Sequence, residues 1–320
     1  MLKKRFISVD WGTTNLRIRL VSIPSLKIED EIVLDDGVKS LYNQWTKDGG
    51  NRTAFFLDFL QDKIASLPID QDTIPPVLIS GMASSSIGLK ELPYAQLPFH
   101  IDGNTLHVER LNTSAFKNGI FLISGVQSDS DVIRGEEIQM VGLLKENDTC
   151  TSVVILPGTH SKHVIVKNGQ VIDFKTYMTG ELFDVILENT ILNAALEVND
   201  FGKDQLKSFE KGVTESSKGK SILHTLFSVR TNVLFNKLSP KENYHYLSGL
   251  LIGEELLSLK KHDCDNIKLC AGGKLFDLYF TAIEVLGLSS KTQIYSKEEV
   301  DASVVKGQWK VYNSLQISKV

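Results

Sequence analysis

Residues Phe6 to Arg19 read FISVDWGTTNLRIR. A strand-forming run leads into an acid, Asp10. A polar turn follows, Gly12-Thr13-Thr14-Asn15, and then Leu16, Arg17, Ile18, Arg19 and Leu20 alternate with strand period. An acid at the tip of a hairpin whose turn is glycine and threonine suits a nucleoside triphosphate. Backbone N–H groups and hydroxyls in such a turn can hold phosphate oxygens. A single carboxylate suits Mg²⁺, which keeps several of its waters.

A related stretch returns at 152–166, SVVILPGTHSKHVIV. Setting Gly12 against Gly158 sets Thr13 against Thr159, and Leu156 stands where the first copy has Asp10. Asn168-Gly169 supplies a further hairpin turn of type I′. Two related lobes are therefore expected, each with a phosphate-binding hairpin, and the metal carboxylate on the first alone. Either hairpin by itself reads sooner as an ordinary β-hairpin; the pair, in order and at lobe-sized separation, turns the reading toward a cleft that clamps ATP.

The chain has 320 residues, long enough for two domains or one large one, and its 42% hydrophobic and 23% charged residues fit a folded globular protein. Alternating strands and helices imply an α/β fold with mixed sheets. A net charge of −4 and a pI near 6.0 give no reason to expect nucleic acid or an anionic membrane as partner. No apolar run approaches the roughly 20 residues of a membrane helix. Lys3, Lys4 and Arg5 precede a strand containing Asp10, which does not match a signal peptide. Cys150, Cys264 and Cys270 form no CxxC pair and read as buried thiols of a reducing cytoplasm.

Three strands are expected over 5–35, a helix over Asn51–Leu67, and strands over Val77–Ser80 and Gly119–Ser124. A helix over Gly135–Lys145 ends the first lobe, so the domains read as 1–145 and 146–320. In the second lobe a long apolar helix runs from Glu181 to about Leu196 with Thr179 as N-cap. The polar stretch 197–221 reads as a loop or short helix. A helix over Tyr246–Lys260 carries Gly249 and Gly253 four apart, which predicts a close helix neighbour. Strand Ile267–Cys270, the turn Ala271-Gly272-Gly273 and helix Leu275–Leu286 follow. That succession lets a nucleotide approach the backbone.

Several motifs are absent. Gly81 to Lys90 lacks the GK[ST] of a P-loop, and no GxGxxG follows the first strand. His160 and His163 fall on opposite faces of a strand, which argues against zinc. Ser84, Ser85 and Ser86 lack a GxSxG elbow and read as hydrogen bonders for a polar ligand, or as a turn.

Taken together, DWGTTNLR (10–17), SGMASSSIG (80–88), IRGEEIQMVG (133–142), LPGTHSKHV (156–164), MTGEL (178–182), LSGLLIGEE (247–255) and AGGKL (271–275) resemble the 2-dehydro-3-deoxygalactonokinases in order and spacing. The resemblance implies a two-lobed actin-like ATPase (ribonuclease H-like) fold with mixed sheets and an interlobe ATP cleft. It also implies transfer of the γ-phosphoryl of ATP to the 6-hydroxyl of 2-dehydro-3-deoxy-D-galactonate, with Mg²⁺. On it, Asp10 organises the metal. Gly12, Thr13, Thr14 and Asn15, with Gly158, Thr159, His160 and Lys162, line the phosphates. Gly272 and Gly273 resemble the adenosine-side turn, and Gly81, Met82 and Ser85 take substrate contacts.

Related kinases open the helix before the second hairpin with Gly-Asp. This chain has Gly135-Glu136-Glu137, so the base is sought at Glu136, then Glu137, then Asp131. Glu136 and Glu137 also suit a structural role, as acids in a helix first turn. Arg134 is the first choice for the sugar-acid carboxylate, with Arg17, Lys90 and Lys162 competing. Arg17 and Arg19 share a strand face and so include solvated side chains. The implied setting is cytoplasmic, with a small sugar acid as partner and a homodimer as assembly. A kinase of a different sugar, or a non-catalytic ATP-binding regulator of the same fold, stays open.

Overall fold

The computed structural model describes residues 4–145, 150–260 and 264–317. Its first elements are β1 (Arg5–Trp11), β2 (Leu16–Ser22), β3 (Ile28–Leu34), α1 (Val38–Asp48) and α2 (Arg52–Ile64). Next come β4 (Val77–Gly81), β5 (Ala95–Gln96), β6 (Phe99–His100), β7 (Val108–Leu111), β8 (Ile120–Ile123), β9 (Val126–Gln127), β10 (Val132–Ile133) and α3 (Glu136–Leu143). Then follow β11 (Ser152–Leu156), β12 (Ser161–Lys167), β13 (Gln170–Tyr177), α4 (Thr179–Asn189), α5 (Lys203–Ser216), α6 (Ile222–Leu226) and α7 (Ser228–Leu234). The chain closes with α8 (Pro240–Leu257), β14 (Asn266–Leu269), α9 (Gly273–Val285), β15 (Thr292–Ile294) and α10 (Lys297–Ile317).

The chain divides into two compact units. Residues 1–149, 168–173 and 298–320 form the first, and 150–167 and 174–297 the second. This differs from a single cut at 145/146, which adjoins residues 146–149, outside the described residues. The segment 168–173 joins the first unit because Gln170 and Val171 pair with His100 and Phe99 of β6. The C-terminal helix α10 joins it because Trp309 stacks on Phe6 at 5.2 Å and Tyr312 meets Phe121 edge-on at 4.8 Å.

In the first unit the sheet order is β3-β2-β1-β4-β8-β7. β1 is antiparallel to β2 and parallel to β4. Alternation along β1 sends Ile7, Val9 and Trp11 into a core with α1 and α2 (Val38, Leu41, Phe56, Leu60). Phe6 joins Leu78, Phe121 and Val305 in another cluster, on the α10 side. A strand buried on both faces reads as a nearly continuous apolar run, which is how Phe6–Val9 reads. Arg19 is buried too, and its Nε donates to Glu31 Oε1 at 2.6 Å. The expectation of a solvated arginine therefore fits Arg17, which is exposed, and not Arg19.

A second sheet repeats the order as β13-β12-β11-β14-β15, with β13 in the second unit from Phe174 on. β11 is antiparallel to β12 and parallel to β14. The strands β3-β2-β1-β4-β8 and β13-β12-β11-β14-β15 thus follow one plan.

Three helices of the second unit differ from expectation. α5 is a full helix where a loop or short helix is expected, because Phe209 and Val213 give it a narrow buried stripe inside a polar sequence. α4 ends at Asn189, not near Leu196. The Thr190 hydroxyl donates to the Ile186 carbonyl at 2.8 Å and accepts from Leu192 N–H at 3.1 Å, which turns the chain. α8 begins six residues earlier than Tyr246. Ser239 and Glu242 form a capping box around Pro240, a signal the sequence carries openly. Gly249 and Gly253 do face a close helix. A Cβ on Gly249 would lie 2.1 Å from the Phe209 carbonyl of α5.

Cys270 is buried and Cys264 half-buried, but Cys150 is exposed, so the reading of three buried thiols does not hold for it. Among the described residues no helix is long and apolar enough to cross a membrane.

Candidate active site

Each Gly-Thr turn is held by the helix that follows the third strand of its unit. In the first, Gly12 N–H donates to Asn15 O at 2.9 Å and closes the turn. Gly37, Val38 and Lys39 at the start of α1 donate to Thr14, Gly12 and Thr13 carbonyls at 2.9–3.1 Å. Three turn carbonyls are thereby drawn onto α1, while Thr13, Thr14 and Asn15 stay exposed. That leaves a turn with fewer acceptor oxygens to repel a phosphate.

The second turn is docked likewise. Glu181 N–H in α4 donates to Thr159 O at 3.0 Å, and Thr159 and His160 are exposed. The contact depends on glycine in both units. A Cβ on Gly37 would lie 2.3 Å from Thr13 O, and one on Gly180 would lie 2.7 Å from Thr159 Cα. Gly37→Ala and Gly180→Ala each lower stability by roughly 1–3 kcal/mol through this overlap. Urea midpoints read it, and midpoints equal to wild type refute the docking.

Asp10 is half-buried near the end of β1, opposite Ser80 of β4 and Arg17 of β2. Burial raises its pKa, Arg19 and Arg17 lower it, and the nearby Glu136 charge raises it again. A cation beside it would relieve both the burial and the Glu136 repulsion, so the site fits a hard metal ion held by one or two carboxylates. Gly135, with φ of 107°, starts α3 against Gly81, whose Cα lies 3.7 Å from the Gly135 Cβ position. The fold thus brings Asp10, Gly81, Gly135 and Glu136 together from β1, β4 and α3.

The three candidate bases stand differently. Glu136 is half-buried, and its Oε2 accepts the Arg134 backbone N–H at 3.1 Å. Glu137 is fully buried. Its Oε2 accepts Gly135 N–H at 2.7 Å, and its Oε1 has no hydrogen-bond partner. Burial, and then the Glu136 charge, push the Glu137 carboxyl up to about 8. Asp131 sits in the turn between β9 and β10, where its Oδ1 accepts Val132 N–H at 2.7 Å.

The folded state holds a proton on Glu137 that the unfolded chain releases near its ordinary value of 4.5. Stability from this group is therefore complete below about pH 4.5. It falls as pH rises toward 8, by on the order of 1 kcal/mol per pH unit. Glu137→Gln removes that slope. Thermal melts of both proteins at several pH values between 5 and 8 show it as a gap that widens with pH. A constant gap contradicts it.

Arg134 clamps the segment after β4. Its Nη1 donates to Ser84 O and Oγ, both at 2.6 Å, its Nε donates to Tyr94 Oη at 3.2 Å, and its guanidinium lies 4.0 Å from the Tyr94 ring centroid. Ser85 is buried with its hydroxyl donating to Met82 O at 2.7 Å, and Met82 is half-buried. Of the competing cations, Lys90 pairs with Glu109, Lys162 Nζ donates to His160 O at 2.8 Å, and Arg17 is exposed on β2. His160 pairs with Glu181, while the buried His163 turns to Glu255. The two histidines thus have different surroundings.

In the second unit a cavity of about 400 Å³ opens beside Gly158, Thr159, Thr179 and Gly180. Phe183 and Tyr244 line it and meet edge-on at 5.1 Å, an apolar wall suited to a nucleobase. Gly272 and Gly273 are exposed at the start of α9, and the wall residues that follow them are Lys274 and Leu275.

The sequence reading misses Gln308 of α10. It is fully buried, and its Nε2 donates to Val9 O at 2.9 Å and Ser80 Oγ at 2.8 Å, directly behind Asp10 and Gly81. It also misses Gly37, Gly180 and Tyr94. A glycine shortly after the third strand of each repeat was the available signal for the first two.

One strand plan used twice, with a Gly-Thr turn at the same point in each copy, places the chain in the actin-like ATPase class that includes carbohydrate kinases. Within that class the chain belongs to the 2-keto-3-deoxy-galactonokinase family, whose model matches residues 10–311. The 2-dehydro-3-deoxygalactonokinase of Escherichia coli (strain K12) is 30% identical over 297 residues, 88% of this chain and 90% of its own. A relative in Rhizobium meliloti (strain 1021) is 31% identical over 294 residues, 89% of this chain and 90% of its own. A crystal structure from Sinorhizobium meliloti, assigned as a 2-dehydro-3-deoxygalactonokinase, superposes with a TM-score of 0.82 and 27% identity over 97% of this chain and 96% of that one.

Proposed function

We propose that this chain transfers the γ-phosphoryl group of ATP to the 6-hydroxyl of 2-dehydro-3-deoxy-D-galactonate. The acceptor is supported by the Escherichia coli relative of that name, aligned over nearly all of both chains. The chemistry rests on one observation above others: Asp10 on β1 stands near Glu136 at the start of α3.

In this reading Glu136 takes the proton of the 6-hydroxyl. The hydroxyl oxygen bonds to the γ-phosphorus as the bond to ADP breaks, and ADP leaves with that electron pair. Asp10 holds Mg²⁺, which when bound neutralises charge on the phosphate oxygens. Thr13 and Thr14 offer N–H and hydroxyl groups suited to phosphate, and Gly158 and Thr159 form a turn of the same kind beside the cavity of the second unit. The cavity beside Phe183 and Tyr244 takes the nucleoside. Phosphoryl transfer needs little covalent help, so holding and neutralising are most of what the protein contributes.

Arg134 is assigned to the sugar-acid carboxylate. Its guanidinium plane is fixed by Ser84 and Tyr94, and a fixed plane loses little entropy on binding a carboxylate. Arg134→Ala raises KM for the sugar acid by about 10–100-fold, the size of a lost charged hydrogen bond. KM for ATP stays near wild type. Steady-state kinetics with each substrate varied separately decides this, and equal rises in both constants would remove the assignment.

A further inference from the structure

Glu255 of α8 is 3% exposed, and its side-chain hydrogen-bond partners lie outside both Gly-Thr turns. Its carboxylate nevertheless accepts four side-chain donors from three other elements of the second unit. Ser161 Oγ at 2.6 Å and His163 Nε2 at 2.9 Å reach Oε1 from β12. Tyr279 Oη at 2.7 Å reaches Oε2 from α9, and Thr179 Oγ1, at the first residue of α4, reaches the same oxygen. Four donors match the four lone-pair directions a carboxylate offers. Burying such a group is costly unless it is fully satisfied, so a merely packed position would be met more simply by an apolar side chain.

The partners bear on the nucleotide side. Ser161 directly follows the turn Gly158-Thr159-His160. Thr179 precedes Gly180 and Glu181, which hold Thr159. Thr179 and Tyr279 both line the 400 Å³ cavity. The Thr179 hydroxyl, an obvious candidate for a phosphate contact, is engaged by Glu255. Burial and then the Glu255 charge raise the Tyr279 pKa, which keeps its phenol a donor. One carboxylate therefore ties the phosphate turn to two walls of the cavity.

We propose that Glu255 is a positioning residue for the nucleotide: it sets the spacing between the second Gly-Thr turn and the cavity, and hence ATP affinity, without touching ATP. This rests on the kinase reading above. Glu255→Gln keeps the shape but sets an amide N–H₂ against donors. Tyr279→Phe removes one of the four bonds.

Calorimetric titration with MgATP, together with KM for each substrate and a thermal melt, tests it. Glu255→Gln should bind MgATP about 10–100-fold more weakly, and Tyr279→Phe should weaken in the same direction. KM for the sugar acid should stay within about twofold, a split that general loosening of the fold would not give. A folded Glu255→Gln protein with wild-type ATP affinity overturns the proposal, as does an equal rise in both KM values. If Glu255→Gln does not fold, Tyr279→Phe decides, and unchanged affinity there overturns it. Wild-type protein that binds no MgATP would instead overturn the kinase reading, and this proposal with it.

Discussion

Asp10→Asn folds like the wild type and loses at least about 10²-fold in turnover at saturating ATP and Mg²⁺. The fold survives because the backbone of residue 10 pairs with Arg17 and Ser80 whatever its side chain. Stability at neutral pH does not fall. The wild-type carboxylate is held against burial and the Glu136 charge, and both penalties vanish with a neutral amide. Activity falls because an amide oxygen is a poor substitute for a carboxylate toward Mg²⁺. Turnover across a Mg²⁺ titration, beside a thermal melt, checks both halves. Near-normal turnover at low Mg²⁺ would remove Asp10 from the metal site.

Glu136→Gln is expected to lower kcat by about 10²–10⁴ with KM for both substrates little changed, the pattern of a lost general base. The competing acids should behave otherwise. Glu137 is sealed beneath the start of α3 with its Oε2 on Gly135 N–H, and Asp131 is turned onto its own hairpin. Asp131→Asn and Glu137→Gln therefore leave kcat within about tenfold of wild type. A larger loss in either than in Glu136→Gln would move the base to that residue.

The parts legible in the sequence are local. The hairpins at Asp10-Gly12-Thr13 and Gly158-Thr159 show themselves through strand alternation and turn chemistry within a dozen residues. The start of α3 shows itself through Gly135-Glu136-Glu137. What stays hidden depends on distant partners. α10 is polar on average, and its apolar stripe makes sense only beside Phe6 and Phe121, far away in the chain. Gln308 follows from α10 and was invisible for the same reason. Thr179 reads as an N-cap, but Met178 takes that place, because the Thr179 hydroxyl is drawn to Glu255, 76 residues away. Arg17 and Arg19 share a strand face, which reads as solvated for one or both; Arg17 is exposed, but Arg19 is buried and takes Glu31 of β3 as its partner. The capping box at Ser239 is the contrary case, a local signal present in the sequence but not used.

The most direct test is ATP-to-ADP turnover by the purified chain with Mg²⁺, with and without 2-dehydro-3-deoxy-D-galactonate, its C4 epimer and neutral hexoses serving as controls. The account predicts turnover that depends on the galactonate derivative and is absent with the hexoses. Binding of ATP without turnover on any of these acceptors would contradict it and leave a nucleotide-binding protein of kinase fold.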